Sequence, residues 1–300
     1  MSFIDYMIIF LFHIIIPIGF IIELWRAKFK SKFSWLLSML LYSLFIILYF
    51  LIGAWDILGY YIRYVLVVLL VIAIVFSWLR VKSLPNRLST EKLLGFRNIF
   101  IYLAISVFLF GGFSILMSFT DRHHPLHLTF PLQDGTYYIG QGGNTGFLNH
   151  HDNVPQQYAY DIVKLNTYGS RATGIFPSEL EKYEIFGDTL YSPCNGVVTD
   201  MQNTLPDLTP LQMDSKKPYG NYIGMQCEGS QATVYLAHMQ QDSIQVHIGD
   251  QVMLGEIIGK VGNSGNTTEP HLHIHAEENG IGIQIQFDGE SPIRNSLIKR

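Results

Sequence analysis

Apolar and polar positions divide this chain into two unlike parts. Over residues 1–120 apolar side chains run almost without a break. Four stretches there, 3–24, 34–55, 57–79 and 98–119, have the length of about 20 residues that a helix needs to cross a bilayer core. From Phe130 the pattern changes to short runs rich in β-branched and aromatic residues, separated by turn signals at Asp134-Gly135, Gly142-Gly143-Asn144, Tyr168-Gly169 and Asn195-Gly196. Runs over 158–165, 196–199, 221–227 and 232–238 predict strands, and strands so closely spaced predict an all-β antiparallel domain, sandwich-like or barrel-like. The expected organisation is multi-domain: an α-helical transmembrane region of four helices over 1–120, a juxtamembrane linker over 121–130, and the β domain over 131–300.

Charge fixes an expected orientation. Arg26, Lys28, Lys30 and Lys32 separate the first and second stretches, and Arg80, Lys82, Arg87, Lys92 and Arg97 separate the third and fourth. The second connection offers only Arg63 against Asp56. Basic loops stay cytoplasmic, so both termini and the β domain are expected outside a plasma membrane that the chain crosses several times. Trp25, Trp35, Trp55 and Trp78 all fall at stretch ends, where an interfacial belt would hold them. The third stretch is short unless Arg63 snorkels outward. With Asp5 in place of a basic start and no small-residue cleavage pattern, the first stretch reads as an anchor rather than a cleaved leader.

Composition agrees with this division. A mean hydropathy of +0.23 with 15% charged residues is too apolar for an ordinary soluble enzyme. The net charge of −4 gives no reason to expect a nucleic-acid partner. Within the helices His13 and Glu23 are ionisable, yet anchoring explains them better than transport, because Glu23 lies near the basic edge and His13 has no evident partner. The run from Asp121 to His127 contains His123, His124 and His127 and reads as a linker more readily than as a metal site. Cys194 and Cys227 sit on predicted strands of an exported domain, where a disulfide and two buried thiols are both open.

Candidate chemistry gathers in four places. His271-Leu272-His273 opens a strand after a glycine-rich turn, and alternate residues on a strand share a face. A second strand, Tyr235-Leu236-Ala237-His238-Met239, ends in a histidine; a third, Tyr158-Ala159-Tyr160-Asp161, carries a carboxylate; and Gly142-Gly143-Asn144 leads to Asn149-His150-His151. Two histidines, a carboxylate and water form a common hydrolytic zinc set. Ser264 lacks a nucleophile elbow, His247, Asp250 and Glu277 read as surface or turn residues, and His275 reads as a packing or hydrogen-bonding residue at the strand end.

From about Asp188 to Ala276 these residues resemble the LytM and lysostaphin-type zinc metallopeptidases, which cleave peptide bonds in peptidoglycan. The resemblance rests on Tyr191-Ser192-Pro193-Cys194-Asn195-Gly196-Val197-Val198, Gly220-Asn221-Tyr222-Ile223, Tyr235-Leu236-Ala237-His238-Met239, the segment Val246 to Val252, Gly262-Asn263-Ser264-Gly265 and Pro270-His271-Leu272-His273. It implies a compact antiparallel β core, Zn2+ as cofactor, Asp161 and His273 as metal ligands, and His238 and His271 as unligated catalytic residues. The family's first ligand histidine stands four residues before the aspartate, where this chain has Gln157. Neutral glutamine is a poor zinc ligand. His151 is the expected replacement, with His150 the second choice and a metal-free site the third.

The leading expectation is a membrane-anchored extracytoplasmic zinc metalloendopeptidase acting on peptidoglycan peptides, held in the lipid bilayer by four helices. The alternative is a catalytically inert LytM-like binding module that regulates other cell-wall hydrolases. A lipoyl- or biotinyl-type carrier, suggested by the segment from Val246 to Gly255, fails for want of a lysine at the Gly249-Asp250 turn.

Overall fold

The structure is a computed structural model and describes residues 3–87, 95–118, 125–151 and 153–300. Lys92 and the run from Asp121 to His124 therefore lie outside the described residues. Two compact units are present: Met1–Trp55 with Tyr61–Leu116, and Asp56–Tyr60 with Met117–Arg300.

The first unit is helical. Helix α1 (Phe3–Phe10), a π-helical turn (Leu11–Ile15) and α2 (Ile16–Arg26) follow one another directly, then α3 (Lys32–Ile52), α4 (Ile62–Val81) and α5 (Phe96–Met117). The spans Met7–Arg26, Lys32–Ile52, Ile62–Val81 and Phe96–Met117 are each long and apolar enough to cross a membrane. A reciprocal cap starts α3: Ser31 Oγ accepts the Ser34 N–H while Ser34 Oγ accepts the Ser31 N–H. Leu24, Trp35, Tyr42, Ile46, Leu66, Leu70 and Ala73 form its core.

Four expectations for this unit need correction. The third span begins at Ile62 rather than 57, because Asp56–Tyr60 belongs to the β unit. Arg63 does not snorkel outward; its side chain is buried, donates to the Phe50 carbonyl and the Tyr64 hydroxyl, and stacks 4.4 Å over the Phe50 ring. Trp25 and Trp78 are exposed, but Trp35 and Trp55 are buried, their indole N–H groups donating to Ser77 Oγ and to the carbonyls of Tyr49 and Phe50. His13 has partners that sequence does not reveal: Tyr49 Oη and the carbonyls of Ile9 and Ala54.

The second unit is built on strands. In chain order they are β1 (Leu126–Leu128), β2 (Thr136–Gln141), β3 (Tyr160–Leu165), β4 (Thr189–Tyr191), β5 (Gly196–Gln202), β6 (Asn221–Cys227) and β7 (Thr233–Met239). There follow β8 (Gln251–Val252), β9 (Ile257–Lys260), β10 (Leu272–Glu278), β11 (Ile281–Ile283), β12 (Ile285–Phe287) and β13 (Leu297–Lys299). A nine-stranded sheet has the order β13-β2-β3-β10-β7-β6-β5-β8, with β11 on β10; β4 pairs β9, and β1 pairs β12 in the one parallel ladder among the described residues. Residues alternating along β3, β6, β7 and β10 bury one face: Ile162, Ile223, Met225, Val234, Leu236, Leu272 and Ile274 are all fully enclosed. The opposite face of the same central strands is thereby left to carry polar chemistry.

Cys194 and Cys227 are joined by a disulfide with a Cα–Cα distance of 5.8 Å, tying the entry to β5 to the end of β6. It closes a loop with a sequence separation of 33. Replacing both cysteines by serine is expected to lower stability by about 3–4 kcal/mol through the freed unfolded chain. Chemical denaturation of the detergent-solubilised protein measures this, and a loss below about 1 kcal/mol would show that the strand ladder alone restrains this loop.

Candidate metal centre

Strand register puts the carboxylate beside the His-x-His pair. Asp161 on β3 lies directly opposite His273 on β10, so both side chains leave the same face of the sheet. His273 Nδ1 is 2.9 Å from Asp161 Oδ1. His271 stands just before β10, with Nδ1 donating to the Glu269 carbonyl at 2.9 Å and Nε2 lying 3.4 Å from Asp161 Oδ1.

His238 reaches the cluster only through a bulge. Ala237 pairs with His273, so strict alternation would turn His238 toward the opposite, apolar face. Between β6 and β7 the register slips, Asn221 pairing with Met239 and Tyr222 with Ala237, which leaves His238 as the extra residue. Its φ of 60° is left-handed, an unusual conformation for a side-chain-bearing residue. The ring then lies 4.8 Å from that of His271, with Nδ1 donating to the Ser264 carbonyl at 2.9 Å. That carbonyl is placed by a close approach at Gly220, where an added Cβ would meet Ser264 O at 2.1 Å. Ser264 itself is buried and structural, its Oγ accepting from Asn221 N and donating to Met239 O.

The loop before β3 supplies two more imidazoles. His151 has a largely buried side chain with Nε2 3.5 Å from Asp161 Oδ1; His150 is 64% exposed with Nε2 3.7 Å from Oδ2. Gln157 ends a short 3-10 turn (Val154–Gln156), and its Cγ lies beside Gly282. Asn149 is the residue sequence reasoning missed. Its amide donates to the carbonyls of Gly143 and Ala159, and its Oδ1 accepts from His151 Nδ1 at 2.6 Å. With Nδ1 so engaged, the His151 nitrogen facing Asp161 is Nε2. An Asn two residues before a His was the available signal, but nothing local says that it points inward.

Electrostatics suit a cation. Burial would raise the Asp161 carboxyl, but His271 and His151 outweigh it and hold the group well below the usual range. Burial lowers His151 to about 4, and burial with His271 and His273 holds His238 well below its ordinary value, so both rings offer lone pairs at neutral pH. His271 is raised: burial opposes its charge, but the Asp161 carboxylate beside it prevails. Donor atoms of His238, His271 and His273, and of His150, His151 and Asp161, lie within 4.8 Å of one another in each group. Tetrahedral zinc, with bonds near 2.0–2.1 Å, separates its ligand atoms by about 3.3 Å. The 2.9 and 3.5 Å separations of His273 Nδ1 and His151 Nε2 from Asp161 Oδ1 bracket that value. The residues present fit such an ion.

A cleft of about 210 Å³ opens over this cluster, bounded by His151, Gln156, Pro218, Tyr219, His238 and Asn266. Of the residues expected at the surface or in turns, His247 is 85% exposed and 3.5 Å from the exposed Asp250, whereas Glu277 is half-buried within β10.

Among solved structures the chain is similar to a zinc containing peptidase from Vibrio cholerae (19% identity, 53% of this chain and 39% of that one, TM-score 0.33). It is similar to lysostaphin, an antimicrobial peptidase from Staphylococcus simulans (22% identity, 37% and 41%, TM-score 0.20), and to a SpoIIQ–SpoIIIAH pore forming complex (11% identity, 53% and 89%, TM-score 0.33). The chain thus spans well under two thirds of the length of the first two. Residues 183–285 match the family described as Peptidase family M23, a span that contains His238, His271 and His273 and stops short of His151 and Asp161. Over residues 183–285 the chain is thus similar to Peptidase family M23, within a unit of mostly antiparallel β structure, and its described residues include four long apolar helices.

Proposed function

We propose that this protein is a membrane-anchored zinc metalloendopeptidase that hydrolyses peptide bonds of peptidoglycan outside the cytoplasmic membrane. The observation that carries this reading is the convergence of His151 Nε2 and His273 Nδ1 on one buried carboxylate, Asp161, with two further imidazoles alongside. These three would hold the ion. When bound, Zn2+ supplies Lewis acidity that makes water a nucleophile near neutral pH. His238 and His271 each have Nδ1 committed to a main-chain carbonyl, which leaves Nε2 as the working nitrogen of both rings. At those atoms they take a proton from the attacking water and hold the oxyanion that develops on the scissile carbonyl.

An outside location is supported by the basic residues on either side of α3 and α4 and by the Cys194–Cys227 disulfide, which belongs to an oxidising compartment. The peptidoglycan substrate is supported by the family match over residues 183–285.

Purified full-length protein in detergent is expected to release soluble peptides from peptidoglycan, to lose that activity to a chelator, and to regain it with zinc. His238→Ala is expected to keep its zinc and lose about 10²–10⁴ in rate. A protein that holds zinc and cleaves nothing, yet stimulates a separate wall hydrolase, would replace this reading with the inert regulatory module.

A further inference from the structure

His275 lies two residues beyond His273 on β10 and is 1% exposed. Its ring stacks on Tyr235 at 5.0 Å, interplanar angle 16°, with Tyr219 at 5.5 Å. Its Nδ1 is 3.1 Å from His273 Nε2, and its own Nε2 is buried with no hydrogen-bond partner among the described residues. An aromatic hydrocarbon would fill this place without leaving a polar atom unmatched, and unmatched buried polar atoms call for an explanation.

The proton count supplies one. A neutral imidazole has one donor and one acceptor nitrogen. For His273 Nδ1 to offer a lone pair beside Asp161, the proton must sit on Nε2 and be donated to His275 Nδ1. His275 must then carry its own proton on Nε2, the atom left without a partner. We propose that His275 is the positioning residue that sets the tautomer of His273 and so makes Nδ1 its ligand atom. The inference rests on the zinc-centre reading above and adds a second ring to it. The two rings change tautomer together, because the single hydrogen bond between them has only one donor at a time.

Zinc affinity of the full-length protein in detergent, read by competition with a chromophoric chelator, tests this in wild type, His275→Phe and His275→Asn. Phenylalanine keeps the stacking and removes the acceptor; asparagine keeps an oxygen near the place of Nδ1. His275→Phe is expected to bind zinc about 10–100-fold more weakly, and His275→Asn within about threefold of wild type. Imidazole ¹⁵N spectra of zinc-loaded wild type are expected to show His273 protonated at Nε2. Equal affinity in His275→Phe, equal weakness in His275→Asn, or a proton on His273 Nδ1 in the zinc-loaded protein would each overturn the proposal. Should His275→Phe fail to fold, the wild-type spectrum decides alone. A wild type that binds no zinc would remove the zinc-centre reading itself, a failure visible before any variant is compared.

Discussion

Asp161→Asn is expected to leave the β unit folded, to weaken zinc binding by more than about 100-fold and to abolish peptidoglycan hydrolysis. Losing a partner beyond the ligands already costs about 10–100-fold in such sites, and among the described residues Asp161 is the one carboxylate on which the imidazoles converge. Among the described residues its removal takes away the only anion directly beside His151 and His273, which leaves a dication with imidazole donors there. The fold is expected to survive because neither His151 nor His238 favours its charged form, and His271 loses with the carboxylate the partner that favours its own. His151 and His238 already lie below their ordinary values, and His271 is raised chiefly through Asp161 itself. Zinc analysis together with thermal melting separates the two effects. Zinc retained at wild-type affinity in Asp161→Asn would contradict the ligand assignment.

Arg171→Met is expected to act in the opposite way, on stability first. The Arg171 side chain is 1% exposed, 2.6 Å from Glu269 Oε2 and 3.5 Å from Asp56 Oδ2, and stacks over Phe176. Asp56 belongs to the segment Asp56–Tyr60 of the β unit. Its main-chain oxygen also accepts from Arg171 N at 3.0 Å. Removing the one cation leaves two largely buried carboxylates facing each other, a change that costs about 3–5 kcal/mol. At about 2–4 °C per kcal/mol, the β-unit melting temperature is expected to fall by about 6–20 °C. Activity is expected to fall as well, with zinc retained, because the Glu269 carbonyl that orients His271 sits on the loop Arg171 holds. Adding Asp56→Asn and Glu269→Gln to Arg171→Met is expected to recover most of the stability, since neutral amides remove the uncompensated charge. A melting temperature unchanged in Arg171→Met would show that water reaches these carboxylates freely.

Much of this was legible in the sequence, and the misses have physical causes. Apolar stretches of about 20 residues located the helices to within a few residues, except where the third began. Ile57, Leu58 and Tyr60 are as apolar as the helix that follows, but Tyr60 packs with Tyr138, Val163 and Leu165 of the β unit. Hydropathy reports that a residue is buried without saying in which core. The strand over 221–227 was placed as found, because its β-branched and aromatic residues are bounded by turns on both sides.

The site divides in the same manner. His271 and His273 announce themselves by spacing, and Asp161 by a short strand motif. That His238 joins them depends on a single extra residue in β7, and a one-residue bulge leaves no periodicity to detect. Asn149, which fixes the His151 ring, and Arg171, which holds the Glu269 loop from 98 positions away in sequence, were both passed over. Each is an ordinary polar residue whose role exists only through long-range contacts, and no local pattern encodes those. Gln157, where the family resemblance expects a ligand histidine, raised the choice between His150 and His151, and their burial separates the two: the His151 side chain is largely enclosed and that of His150 is exposed.

The central claim is that Asp161, His273 and His151 share one zinc ion. Metal content of the full-length protein, measured in wild type, His150→Ala and His151→Ala after purification in the same zinc-buffered detergent, tests it most directly. The account predicts one zinc per chain in wild type and in His150→Ala, and less than about a tenth of that in His151→Ala. Full zinc in His151→Ala, or none in wild type, would contradict it.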